Sequence, residues 1–147
     1  MKKTLVTLVI IFTALFARAQ NQQSAKDMSD IKETILNYVE GYYTADWQRV
    51  TKAVHPELAK RIVWTDSASG LAAVNNSGAS QLIMAAKRNR KPDNSGEPFK
   101  ADVQIFDIFK NVATAKVATN KMKFIDYVQL VRINGEWKII NVLWEML

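Results

Sequence analysis

From Phe99 onward, apolar and polar residues alternate with a period of two, which predicts four strands at about 100–109, 112–119, 122–133 and 136–145. Asn134-Gly135, between the last two, is the strongest turn signal in the chain and predicts a two-residue type I′ hairpin. Before Phe99 the period is helical. Ile31, Ile35, Tyr38, Val39 and Tyr42 share one face, and Asp30 with Glu33 suits a capping pair at its start. Asp46 suits the cap of a second short helix that carries Trp47, Val50 and Val54 inward. His55-Pro56 interrupts it, and Pro56 fits the first turn of another short helix ending near Arg61. Residues 62–65 read as a short strand and 66–77, rich in Ser, Asn and Gly, as mostly loop. Ser77 suits the cap of a third main helix with Leu82, Ile83 and Ala86 on its apolar face, and 92–98 reads as a turn-rich connector. Helices followed by an antiparallel meander make an α+β domain.

The first residues follow a different logic. Lys2 and Lys3 precede an apolar run over 5–16, and Ala17-Arg18-Ala19 offers small residues where a signal peptidase cuts. A dozen apolar residues are too few to cross a bilayer, which needs roughly 20. We therefore expect residues 1–19 to be a signal peptide, 20–29 a polar flexible lead, and 30–147 one folded domain. The expected location is periplasmic or secreted, with no membrane association after cleavage.

Charge and cysteine content narrow the chemistry. The chain carries 20 Lys and Arg against 14 Asp and Glu. Removing residues 1–19 takes Lys2, Lys3 and Arg18 and no acid, which leaves 17 against 14, a net +3. That balance favours solubility and is no nucleic-acid footprint, so no nucleic-acid partner is expected. The basic run Lys87-Arg88-Asn89-Arg90-Lys91 suits a solvated helix C-terminus. The absence of cysteine removes disulfides, thiolate metal sites, cysteine nucleophiles and a lipid-modified N-terminal cysteine together. With a single histidine and no cysteine, no metal site and no cofactor are expected.

Two stretches carry a family likeness. The first is Gly41-Tyr42-Tyr43 with Asp46, then His55-Pro56-Glu57-Leu58 followed by Lys60-Arg61. The second runs from Phe124-Ile125-Asp126-Tyr127-Val128 through Asn134-Gly135 to Trp137-Lys138-Ile139-Ile140-Asn141-Val142 and Trp144. Together they resemble the "putative lumazine-binding" branch of the nuclear transport factor 2-like superfamily, over roughly 30–147. The resemblance implies an NTF2-like (cystatin-like) cone: three helices packed on a curved antiparallel sheet around a pocket, often dimeric through the sheet. The superfamily holds acid–base enzymes, among them ketosteroid isomerases, scytalone dehydratase and polyketide cyclases, beside pure binding domains. Fold likeness alone does not choose between them.

Strand phase locates the candidate site. A two-residue loop at Asn134-Gly135 pairs Val128 with Asn141 and Asp126 with Leu143. One face then collects Asp126, Val128, Leu130, Trp137, Ile139 and Asn141, and a tight turn at Asn120-Lys121 adds Ala113, Ala115 and Val117. This more apolar face is assigned to the interior, where Asp126 is the polar exception, with Ala115 beside it and Asn141 and Arg61 as partners. A carboxylate there serves either as a structural link or as a general acid or base. His55, the only imidazole, is the second catalytic candidate, although helix-end hydrogen bonding also explains it. Arg61 would bind a carboxylate, and Tyr42 and Trp47 suit either core or a flat aromatic ligand.

The pocket candidates are thus His55, Arg61, Asp126, Asn141, Tyr42 and Trp47. The expected function is binding of a small apolar or aromatic molecule. The alternatives are an isomerase-, dehydratase- or cyclase-type enzyme using Asp126, and an interaction module working through the outer sheet face. Tyr127, Val142 and Trp144 on that outer face predict a homodimer.

Overall fold

The computed structural model describes residues 2–89 and 96–147, the side chains of 2–21 excepted. Arg90, Lys91 and most of the 92–98 connector lie outside the described residues. Residues 1–30 and 31–147 form two compact units. In the first, the helix α1 (Lys2–Tyr43) already runs through 20–29, where a flexible lead was expected. Its polar residues have no apolar period, yet Gln23 and Asp27, and Lys26 and Asp30, meet one turn apart. Asp30 therefore pairs within the helix and does not cap it.

The second unit holds the remainder of α1, α2 (Trp47–Ala53), α3 (Ala79–Arg88) and six strands. The strands are β1 (Val54–Thr65), β2 (Ala72–Gly78), β3 (Ala101–Phe109), β4 (Val112–Thr119), β5 (Phe124–Ile133) and β6 (Glu136–Met146). They form one open sheet in the order β2-β1-β6-β5-β4-β3. The α+β class and the strand positions after Phe99 agree with the periodicity. The sheet is mixed, however, because β1 runs parallel to β6. A parallel neighbour must arrive from a distant segment, so no hairpin signal announces it.

Residues 54–61 are the main departure from the helical expectation. They form the first part of β1, with Leu58, Lys60 and Ile62 alternating onto the inner face, and β2 replaces the second half of the expected 66–77 loop, 66–71 remaining turn and coil. Pro56 is compatible with a helix start and equally with an irregular strand start, and here the β1–β6 register shifts between Val54 and Ala59. Gly78 rather than Ser77 precedes α3, and the Gln81 side chain accepts its N–H at 2.8 Å.

Helix α1 buries Ile31, Ile35, Tyr38 and Val39 at helical spacing against Val128, Leu130 and Ile139 of the sheet's inner face, in one core. Asp46 caps α2 by accepting from the Arg49 N–H at 3.2 Å. Arg49 then ties α2 back to α1, donating to Asn37 Oδ1 at 2.9 Å and Glu40 Oε2 at 2.7 Å. Asn134 and Gly135 both have positive φ, 52° and 83°, as a type I′ turn requires.

Candidate functional site

The β5–β6 register begins as predicted, with Ile133 opposite Glu136 and Leu130 opposite Ile139. It then slips, so that Gln129 faces Asn141, Val128 faces Val142 and Asp126 faces Trp144. Ile140 is the extra residue of a β-bulge. Beyond it every side chain of β6 changes face. Val142 and Trp144 turn inward, while Asn141, Leu143 and Glu145 turn outward. The apolar phase of β6 records this slip: Trp137 and Ile139 are odd-numbered, Val142 and Trp144 even-numbered. The loop before β5 is also longer than a two-residue turn, so Val117, and not Ala115, lies opposite Asp126.

Asp126 itself points inward and is fully buried. Its partners differ from those expected. Tyr38, from α1, donates its hydroxyl proton to Oδ2 at 2.6 Å. Lys60, from β1, donates to Oδ1 at 2.9 Å and to the Tyr38 hydroxyl oxygen at 2.8 Å. The three groups close a triangle that joins a helix and two strands that are not neighbours. The Lys60 ammonium also lies over the rings of Trp144, Phe124 and Tyr38, at 4.6, 5.3 and 5.5 Å from their centroids. Burial pulls its pKa below the ordinary lysine range, against the Asp126 charge, which works to raise it. Burial pushes the Tyr38 phenol well above its ordinary range, and the Asp126 charge adds to that.

Above this triangle opens a cavity of about 350 Å³ between α1, α3 and strands β1, β2, β5 and β6. Its walls are largely apolar and aromatic, with Tyr42, Ile62, Leu82, Phe124 and Trp144 among them. Asn75, Ser77 and Gln81 add neutral polar groups on one side. Lys60 and Tyr38 line the cavity, whereas Asp126 sits behind them and does not. Both carboxylate oxygens are engaged, so Asp126 acts on the cavity only through its two partners.

Of the other candidates, Tyr42 lines the cavity and the rest do not. The His55 Nδ1 accepts the Glu57 N–H at 3.2 Å, a local turn contact at the start of β1. Arg61 is exposed on the outer face and donates to Asn141 Oδ1 at 2.8 Å, and Asn141 donates to Gln129 Oε1 at 3.0 Å. Neither Arg61 nor Asn141 meets Asp126. Trp47, partly buried against the core, stacks under Lys87 Nζ at 5.1 Å. The residues missed were Tyr38, read only as part of the apolar face of its helix, and Lys60. Reading 54–61 as helix hid the Leu58-x-Lys60-x-Ile62 alternation that would have turned it inward. Among the described residues no three His, Cys, Asp or Glu side chains gather as a metal site would require.

Known proteins bear on this geometry. The chain is similar in structure to an NTF2-like protein of unknown function from Shewanella baltica OS155, at TM-score 0.68 and 19% identity over 84% of this chain and 95% of that one. A second NTF2-like protein of unknown function, from Methylobacillus flagellatus KT, gives TM-score 0.65 and 20% identity over 83% and 93%. A third, from Silicibacter pomeroyi DSS-3, gives 0.66 and 11% over 84% and 98%. At such identities these likenesses speak of fold alone. No curated protein matches the sequence. The model of one family does, over residues 26–145, a span that includes Tyr38, Lys60 and Asp126. The chain therefore belongs to the "putative lumazine-binding" family and has the NTF2-like fold.

Proposed function

We propose that this domain binds a small apolar or aromatic molecule in the cavity between its helices and sheet, and does so without chemistry of its own. The observation that carries the reading is the cavity of about 350 Å³ with aromatic walls and few polar groups. That size and lining suit a compact flat ligand. The acid–base alternative loses support at the same place. Among the described residues no carboxylate and no histidine lines the cavity. Asp126, behind the cavity wall, has both carboxylate oxygens engaged by Tyr38 and Lys60. On the reading of residues 1–19 as a signal, the domain works outside the cytoplasm, and mass spectrometry of protein made by its host should find Gln20 at the N-terminus.

The test is a thermal-shift screen of neutral bicyclic aromatics with the mature chain. A ligand that binds only the folded state raises Tm with concentration. Ala85→Trp, at an exposed lining position on α3, should abolish those shifts while leaving the unliganded Tm nearly unchanged. Shifts that persist in that variant would place the ligand elsewhere and overturn the reading.

A further inference from the structure

We infer that Lys60 is the ligand-selecting group of the cavity, and that it selects a neutral molecule carrying a carbonyl oxygen. The inference rests on the reading of the cavity as a binding site and adds the chemistry of what enters. A lysine ammonium has three N–H donors and no acceptor. Two of them are used, on Asp126 Oδ1 and on the Tyr38 oxygen. No oxygen or nitrogen of the described residues takes the third, and Lys60 lines the cavity over the Trp144 face. A ligand oxygen at that point completes the donor set in a place where water would otherwise have to be held.

Charge decides which oxygen. Asp126 balances the Lys60 cation one for one, and Tyr38 is neutral. Among the described residues lining the cavity there is no second cation. A carboxylate would therefore place two anions on one ammonium inside apolar walls, and shedding its water there would go uncompensated. A ketone or ring carbonyl brings an acceptor without a charge. The aromatic surfaces of Phe124, Trp144 and Tyr42 flank the same space, so the carbonyl belongs on a flat, apolar body.

Three probes matched in shape separate the terms: a methyl naphthyl ketone, ethylnaphthalene and naphthoate, titrated calorimetrically at neutral pH. The ketone should bind about tenfold or more tightly than either of the others, as a hydrogen bond from a charged donor implies. An isotope-labelled carbonyl carbon should move downfield in the bound ketone's NMR spectrum. In the charge-balanced variant Lys60→Met with Asp126→Asn, ethylnaphthalene should still bind while the preference for the ketone disappears. Equal binding of ketone and hydrocarbon by the unmodified chain, or tightest binding of naphthoate, would overturn the inference and leave the cavity reading standing. A ketone preference that survives in the double variant would overturn it too. Binding of none of the three would overturn the cavity reading, and this inference with it. The comparison within the unmodified chain and the carbonyl shift need no variant, so they decide the matter even if the double variant is unfolded.

Discussion

Lys60 Nζ and Asp126 Oδ1 lie 2.9 Å apart, although 66 residues separate them in sequence. The carboxylate is wholly buried and the lysine side chain only 12% exposed. Removing one charge from such a pair strands the other in a medium that solvates it poorly. Asp126→Asn should therefore cost about 3–5 kcal/mol in urea unfolding, and Lys60→Met a comparable amount. The double replacement should cost less than either alone, since no uncompensated charge remains. Costs that simply add would show that the two residues are not coupled.

Tyr38 makes stability depend on pH in a defined direction. Its phenol is held well above the ordinary value of 10.0 in the fold, by burial first and the Asp126 charge second. The unfolded chain's phenol ionises at its ordinary pH, so above that pH the unfolded state binds fewer protons. This contribution is fully present below about pH 10 and is lost as pH rises beyond it. One tyrosine should thus ionise late, together with unfolding, in an absorbance titration. Tyr38→Phe should remove that late step and flatten the alkaline loss of stability.

Gly41 sits where α1 and α2 cross. A Cβ built there would meet Arg49 Cβ at 2.9 Å, the Asp46 carbonyl oxygen at 3.1 Å and Val50 Cγ2 at 3.2 Å. Two of these are close to or part of the backbone, so α2 must shift to make room. Gly41→Ala gains roughly 0.5–1 kcal/mol of helix propensity but incurs overpacking of about 1–3 kcal/mol. The expected outcome is a lower Tm, and a Tm equal to or above that of the parent would show that the two helices yield easily.

The outer face of the sheet is a proposed dimer surface, with residues that differ from those first expected. Val142 and Trp144 face inward, while Tyr127, Leu143 and Phe106 are each about half exposed outward. Phe106 and Tyr127 stack at 6.4 Å, and Leu143 is the cross-strand neighbour of Tyr127. Contiguous apolar surface of this kind favours a second copy of the chain as its cover. Light scattering at micromolar concentration should give a dimer mass, and Leu143→Glu a monomer. A monomer mass for the unmodified chain would remove the proposal.

Local chemistry alone determined a good part of this protein. The helical stripe of Ile31, Ile35, Tyr38 and Val39, the Asp46 cap and the Asn134-Gly135 turn all depend on residues a few positions apart. So does the alternation that turns Asp126 inward, because side chains in one strand have no choice but to alternate. Such features are legible in the order of residues itself. The tertiary structure decided what lay between distant segments. A parallel neighbour for β6 made a strand of 54–65, although Pro56 in isolation suits a helix equally well. One extra residue at Ile140 then moved Asn141 out and brought Trp144 in, since a single-residue slip exchanges the two faces of a strand. Asp126 was readable as buried, but its partners were not. Lys60 and Tyr38 reach it from another strand and from a helix, and no spacing along the chain encodes a triangle that only the folded arrangement closes.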